Sequence, residues 1–448
     1  MSTNKFRFPT ITAVVIANMV GTGVFTSLGF QLLEIQSGFA ILMLWAVGGL
    51  IAVCGAMTYA ELGAAFPRSG GEYNLLTRIY HPALGFIAGW TSVTIGFAGP
   101  SALAAMTFAA YATSVLEVGS SEWLEKLLAV GLVLALAVVH AGRRRNSGSV
   151  QLVFTILKVA VIVVFCTAVY LMVDVPQPVQ FSPVSGDGKI LTGGAFAVSL
   201  IYVSYAYTGW NVATYLSGEL ESPQRTLPGI LVIGTLVVML LYVALNFIFM
   251  YAAPIADLQG QLEVGFIAAT AAFGEAGGRF AGVVLAVLLI STVSAMMIAG
   301  PRVLQVMGED FHALRLPART NKDGVPSIAV YIQAALAIAF ILTASFESVL
   351  LFAGFTLALN SFVTVLGVFV LRLRQPELHR PYKTFLYPLP PLIYLGLTGW
   401  TLWFVLLNRP VEGLFGLGVI GSGLVVYYLL RDIVTTDATE DNLASRGK

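Results

Sequence analysis

Ile16-Ala17-Asn18-Met19-Val20-Gly21-Thr22-Gly23-Val24-Phe25 sits in the middle of an apolar run covering residues 10–34. The pattern is helical on both sides, yet Gly21-Thr22-Gly23 interrupts it at the centre. Two glycines around a threonine weaken a helix. In hydrocarbon an opened helix strands N–H and C=O groups without water, so it is tolerated only where protein or a water-filled cavity receives them. Glycine also serves close helix packing in membrane bundles, so this motif by itself leaves both readings open.

The surroundings establish that the solvent is lipid. Of 448 residues, 57% are hydrophobic and only 10% charged, with a mean hydropathy of +0.85; a soluble domain carries about 25% charged residues. Apolar runs have the length a helix needs to cross about 30 Å of hydrocarbon, and the alternation of about ten residues that marks transmembrane strands is absent. An all-α polytopic membrane protein with about twelve spans is expected, near 10–34, 39–66, 84–115, 124–141, 149–173, 191–218, 228–252, 279–307, 327–344, 347–371, 385–407 and 411–430, followed by a polar tail at 431–448. Loops such as Pro67-Arg68-Ser69-Gly70-Gly71 carry turn chemistry. The segment 71–81 is amphipathic and reads as lying at the membrane interface, and the run Val264–Phe273 reads as a short helix over the opposite mouth, with plain connecting chain the other reading of both.

With the amino terminus on one side, that face collects nineteen of the 24 Lys and Arg residues, among them Lys5, Arg7, Arg143-Arg144-Arg145, Arg446 and Lys448. The other face has Lys126, Lys189, Arg279 and Arg409, and Lys158 lies inside a span. By the positive-inside rule the basic face, with both termini, is cytoplasmic, in the cell membrane. A net charge of +1 gives no basis for nucleic-acid binding. Cys54 and Cys166 fall in apolar runs and read as buried small hydrophobes, and the four histidines lie at or near span ends, so neither a metal site nor a cofactor is expected. The polar first nine residues precede a run too long for a cleavable signal peptide.

A second interruption, Tyr207-Thr208-Gly209-Trp210-Asn211, falls in the sixth span. If spans one to five (residues 1–173) and six to ten (191–371) are two repeats, with spans eleven and twelve (385–430) appended, the breaks occupy corresponding positions. Carriers built from inverted repeats put substrate sites at such paired breaks. The half-helix starting near Gly23 presents free N–H groups and a positive dipole end, suited to a carboxylate. The half-helices ending near both breaks present carbonyls, suited to an ammonium. A zwitterionic amino acid complements that pair without any charged side chain.

Several motifs follow in order: Gly21-Thr22-Gly23-Val24-Phe25, Tyr59-Ala60-Glu61-Leu62-Gly63, Ser69-Gly70-Gly71-Glu72-Tyr73, Ala206-Tyr207-Thr208-Gly209-Trp210-Asn211, and Glu219-Leu220-Glu221-Ser222-Pro223-Gln224-Arg225-Thr226-Leu227-Pro228. Together they resemble the amino acid–polyamine–organocation superfamily, most closely its L-type amino acid transporters and their bacterial relatives. The resemblance is strongest through span eight. It implies a LeuT-type five-plus-five inverted repeat with two extra helices. It further implies a substrate carboxylate on the backbone of Gly21, Thr22 and Gly23, and an ammonium on the carbonyls of Met19, Tyr205 and Thr208. Tyr205 would be an aromatic gate toward the outside, and Trp210 and Asn211 would brace the pocket. Thr208 stands where close relatives often have glycine, which points to a smaller substrate side chain.

Lys158, about 13 Å into the fifth span at about 1.5 Å per residue, either snorkels to the interface or marks an ion path. The resemblance implies that it replaces a sodium ion between spans one and eight, with Ser291 and Ser294 as neighbours. A fixed charge there means sodium-independent exchange, and a titrating one means proton coupling. Glu61 closes the second span near the basic face, where it either pairs with an arginine in a structural gate or is simply solvated. No acidic or basic side chain is expected in the pocket, which favours neutral amino acids. An enzyme would need an intramembrane acid, base or metal cluster, and none is legible. Residues 116–123 hold no cysteine, so the disulfide-linked partner subunit of some animal members is not expected.

Overall fold

The computed structural model describes residues 8–116, 121–142, 147–217 and 220–445, with side chains left aside at 147–154 and 431–445. Lys5, Arg7, Arg143-Arg144-Arg145, Arg446, Lys448 and half of the loop 116–123 therefore lie outside the described residues. Among those described, the chain is helical, with no strand. The first span is split into α1 (Phe8–Met19) and α2 (Thr22–Glu34), and α3 (Gly38–Ala65) returns to the basic face. A short helix α4 (Glu72–Ile79) follows. The third span is α5 (Pro82–Thr91), one π turn at Ser92–Gly96, and α6 (Ala98–Leu116). Then come α7 (Glu122–Gly142), α8 (Ser147–Met172) and α9 (Asp187–Leu191). The second broken span comprises α10 (Gly194–Tyr207) and α11 (Val212–Tyr215). The chain continues through α12 (Pro223–Ala252), α13 (Ile255–Leu258), α14 (Val264–Asp310), α15 (Arg315–Ala318), α16 (Ser327–Thr343), α17 (Phe346–Arg374), α18 (Leu389–Asn408) and α19 (Pro410–Ser445).

Among the described residues, ten helical stretches are long and apolar enough to cross a bilayer; Gly194–Tyr207 and Ser327–Thr343 are shorter apolar helices. The chain is thus an all-α polytopic membrane protein. Three helix starts carry a side-chain cap. The Ser37 hydroxyl accepts from the Ala40 N–H at 3.2 Å, and Ser345 does the same for Ser348. The His81 ring accepts from the Ala83 N–H ahead of Pro82. The first broken span is central and almost wholly buried, whereas α7, α8 and α19 lie at the periphery. Val138, Val164, Leu171 and Leu429 are exposed there, as lipid-facing side chains should be.

Val264–Phe273 is a short helix, as expected, set off from the long span that follows it in α14 by a kink at Gly274, where φ is +72°. Residues 431–445 continue from α19 as helix. One expectation needs correction. The segment 71–81 does not lie flat at the interface. Gly70 and Gly71, with φ of +113° and +52°, turn the chain back under the bundle, and Glu72, Tyr73, Leu75, Leu76 and Ile79 of α4 are buried.

The anticipated pairing of Glu61 is present. Its carboxylate is fully buried and receives two hydrogen bonds from Arg372, at 2.9 and 2.7 Å, and two from the N–H and hydroxyl of Thr384, both at 2.8 Å. Arg380 stands 3.6 Å away. This cluster ties α3 to α17 and to the segment before α18. Removing one partner of a buried ion pair costs about 3–5 kcal/mol, less here because Arg372 remains 23% exposed. Glu61→Ala is therefore expected to lower the midpoint of thermal unfolding in detergent by several degrees, and an unchanged midpoint would show that the cluster does not hold the bundle together.

Candidate functional site

Both breaks are real and they face each other. Backbone helix stops at Met19 and restarts at Thr22; it stops again at Tyr207 and restarts at Val212. Glycine is needed at two points for different reasons. A Cβ on Gly23 would stand 2.5 Å from the Ala206 Cα, so this glycine allows the two broken helices to touch. Gly209 has φ of +108° and turns the chain back from α10, against Asn18.

Between the breaks is a cavity of about 100 Å³, several times what one water needs. All eight residues anticipated at the substrate site line it: Met19, Gly21, Thr22, Gly23, Tyr205, Thr208, Trp210 and Asn211. No side chain caps the first turn of α2 at Gly21, which leaves the helix N-terminus open toward the cavity as an anion site. The Tyr205 phenol faces the Thr22 hydroxyl. Trp210 packs edge-on to Tyr59, with centroids 4.7 Å apart, and also meets Tyr394. The carbonyl acceptors are partly committed. Tyr242 donates its phenol to Met19 O and Ala206 O, and the Thr208 N–H bonds to Tyr205 O at 2.9 Å. Each carbonyl retains a second lone pair.

Lys158 does not snorkel. It is 1% exposed, and its Nζ donates to Val20 O at 3.3 Å and to Thr292 Oγ1 at 3.0 Å. It therefore holds the carbonyl released by the first break and ties that break to α14. The neighbour on α14 is Thr292, not Ser291 or Ser294. Successive residues of a helix turn by about 100°, and the position directed at Lys158 is 292. Ser294 faces away and bonds the His140 ring at 2.7 Å.

The principal residue missed from the sequence is Glu72. It lines the cavity, so the expectation of a pocket without a charged group is overturned. Its motif was visible, but the amphipathic pattern around it reads as an interface helix, and its partners are distant in sequence. The π turn was equally illegible. Single π turns cluster at functional sites, and this one brings Ser92 and Gly96 to the cavity wall, with Ser92 Oγ 3.2 Å from Tyr215 Oη.

Side-chain clusters lie between the cavity and each face. Toward the face opposite the basic one, Phe30 stacks on Tyr202 and Phe346, with centroids 6.0 and 5.8 Å apart. There Glu347 accepts from Tyr202 at 2.8 Å and from Arg409 at 3.0 Å. Tyr205, expected as the outer aromatic gate, lies one turn deeper, in the cavity wall. Toward the basic face, Tyr215 covers Gly71, and beyond it Arg68 and Tyr73 both bond Asp310.

A cavity flanked by two broken helices, with side-chain clusters toward each face, is the geometry of a carrier. The family profile described as amino acid permease matches residues 6–428. The chain belongs to the amino acid permease family. It is therefore a transporter and not an enzyme. It is similar to the b(0,+)-type amino acid transporter 1 of Mus musculus, 27% identical over 425 residues covering 93% of this chain and 85% of the relative. It is also similar to the serine/threonine exchanger SteT of Bacillus subtilis (strain 168), 27% identical over 424 residues covering 93% and 94%. The large neutral amino acids transporter small subunit 2 of Homo sapiens is 28% identical over 434 residues covering 93% and 78%.

Because Gly23 abuts Ala206 backbone, this permease has no room for a methyl at the crossing. Overpacking of about 1–3 kcal/mol is expected for Gly23→Ala, with amino acid uptake falling about tenfold or more while the protein is still inserted in the membrane. Wild-type uptake by that variant would separate the crossing from function.

Proposed function

We propose that this protein is a sodium-independent exchanger of neutral L-amino acids, working by alternating access with both termini in the cytoplasm. The observation that carries this reading is the uncapped N-terminus of α2 at Gly21, Thr22 and Gly23 facing Met19, Tyr205 and Thr208 across one cavity. Donors on one side and carbonyls on the other fit the carboxylate and ammonium of an α-amino acid. Thr22, Ser92, Ser204, Ser361 and Thr398 give the wall a neutral polar character. Glu72 is the acidic exception, and its oxygens are engaged by neutral side chains, so it offers little to a cationic substrate side chain. The small volume favours alanine, serine and threonine over aromatic amino acids, in keeping with the name of the Bacillus relative.

Sodium independence rests on Lys158. An ammonium bonded to Val20 O and Thr292 does what a bound sodium ion would do there: it neutralises a carbonyl end at the break and joins the first span to the eighth. A lysine that releases its proton during the cycle would instead make the protein a proton-coupled symporter, and the same residue supports that second reading. The excess of basic residues on the face bearing the termini supports the orientation.

Counterflow in sodium-free proteoliposomes tests the proposal. Uptake of radiolabelled alanine is expected to depend on unlabelled alanine or serine inside and to be indifferent to sodium and to an imposed pH gradient. Uptake into empty vesicles driven by an inward proton gradient would establish the symporter instead, and stimulation by sodium would refute the role given to Lys158. Lys158→Met, which leaves Val20 O and Thr292 without their donor, is expected to reduce exchange about tenfold or more, the effect of losing a charge-assisted hydrogen bond.

A further inference from the structure

Glu72 is the most heavily bonded acid in the described chain. It is 2% exposed. Oε1 accepts from Tyr59 Oη, from Asn211 Nδ2 at 3.0 Å and from Ser361 Oγ at 2.9 Å. Oε2 accepts from Tyr215 Oη at 3.0 Å and from Asn360 Nδ2 at 2.7 Å. Five donors occupy the lone pairs of one carboxylate, the pattern of an acceptor-only group. All five are neutral. Burial pushes the Glu72 carboxyl up, and the donors from Tyr59, Ser361, Tyr215 and Asn211 draw it back without cancelling that push. Each donor lost leaves an ionised carboxylate harder to sustain there.

The origin of the donors is what matters. Tyr59 is on α3, Asn360 and Ser361 are on α17, and the other two flank the start and end of the segment after the second break: Asn211 just before α11 and Tyr215 its last residue. Tyr215 also lies over Gly71 and reaches Ser92 of the π turn. One buried carboxylate, held on α4 at the end of the cavity nearer the basic face, therefore pins the second half of a broken helix against three other elements. α11 is four residues long and packs on α1 and α12 through its buried Val212, Ala213 and Thr214, so few contacts besides these bonds hold it.

We propose that Glu72 is the positioning residue of the gate on the basic face, its bonds to Asn211 and Tyr215 holding α11 across the cavity until the carrier opens to that side. Opening strips two donors from Glu72 and leaves Tyr59, Asn360 and Ser361 in place, so the closed state is favoured by the carboxylate and released by movement of α11 alone. This rests on the reading of the cavity as a transport route, and it assigns a role to an acid that the substrate does not need to touch.

The test reads the conformation directly, without substrate. In a chain whose Cys54 and Cys166 are replaced by alanine, Ala358→Cys puts a thiol in the cavity wall. Oriented proteoliposomes are treated with a membrane-impermeant maleimide on the basic face, and the labelling rate is measured. Glu72→Gln, which keeps the shape and removes the charge, is expected to raise that rate about tenfold, the effect of weakening one charge-assisted hydrogen bond, and to lower labelling from the opposite face. Glu72→Asp, which keeps the carboxylate, is expected to fall between Gln and wild type. Tyr215→Phe deletes one hydroxyl from the α11 side and is expected to raise labelling severalfold even if the Glu72 variants fail to fold. Wild-type labelling from both faces in Glu72→Gln, or in Tyr215→Phe where the former does not fold, would overturn the proposal. Because no amino acid is present, that result together with intact counterflow refutes the gate alone, whereas failed counterflow refutes the exchanger.

Discussion

A peptide group at the middle of a bilayer has no water to bond, so a broken membrane helix must find other partners for the groups it releases. Here the partners can be named. Lys158 takes Val20 O, Tyr242 takes Met19 O and Ala206 O, and the Thr208 N–H closes on Tyr205 O. What remains open is the N-terminus of α2. The protein thus satisfies most of what the two breaks expose and leaves donors where a carboxylate fits. The close approach of Gly23 to Ala206 follows from the same requirement, since the two breaks serve one cavity only if their helices touch.

Around that centre the structure separates firm connections from slight ones. Glu61, with Arg372 and Thr384, joins α3 to α17 and to the start of the α18 region through short, buried bonds. The contacts between the cavity and each face are thinner. One is a stack of three aromatic rings with a Glu347 pair behind it; the other is a four-residue helix, a carboxylate and an exposed ion pair at Arg68 and Asp310. A carrier that alternates between two faces needs such a division, because a gate made of many buried contacts would not open on the timescale of transport.

Much of this was legible before any coordinates. The spans follow from apolar length, and their ends in the structure lie within a few residues of those read from breakers, with the eighth taken from the kink at Gly274 and apart from the end of α19, which runs on to Ser445. The breaks were visible because Gly-Thr-Gly and Thr-Gly-Trp-Asn are the wrong residues for a lipid-facing helix. Lys158 was visible because an ammonium has no ordinary place in a span. The remainder was hidden for physical reasons. Choosing Thr292 over Ser291 and Ser294 requires the rotation of α14 about its axis, which packing sets and composition does not. Glu72 meets Asn360 and Ser361 across nearly 290 residues of chain, and no local pattern announces such a contact. The amphipathic look of 71–81 arises because one side of α4 meets the bundle interior, and the sequence cannot tell that interior from the membrane surface.

The account stands or falls on the space between the two breaks. A structure determined by electron cryomicroscopy with alanine bound is the direct measurement. The amino acid is expected between Gly21, Thr22 and Gly23 on one side and Tyr205 and Thr208 on the other, its carboxylate within hydrogen-bonding distance of the N–H groups that open α2. Density for alanine elsewhere in the bundle, with the N-terminus of α2 unoccupied, would contradict it.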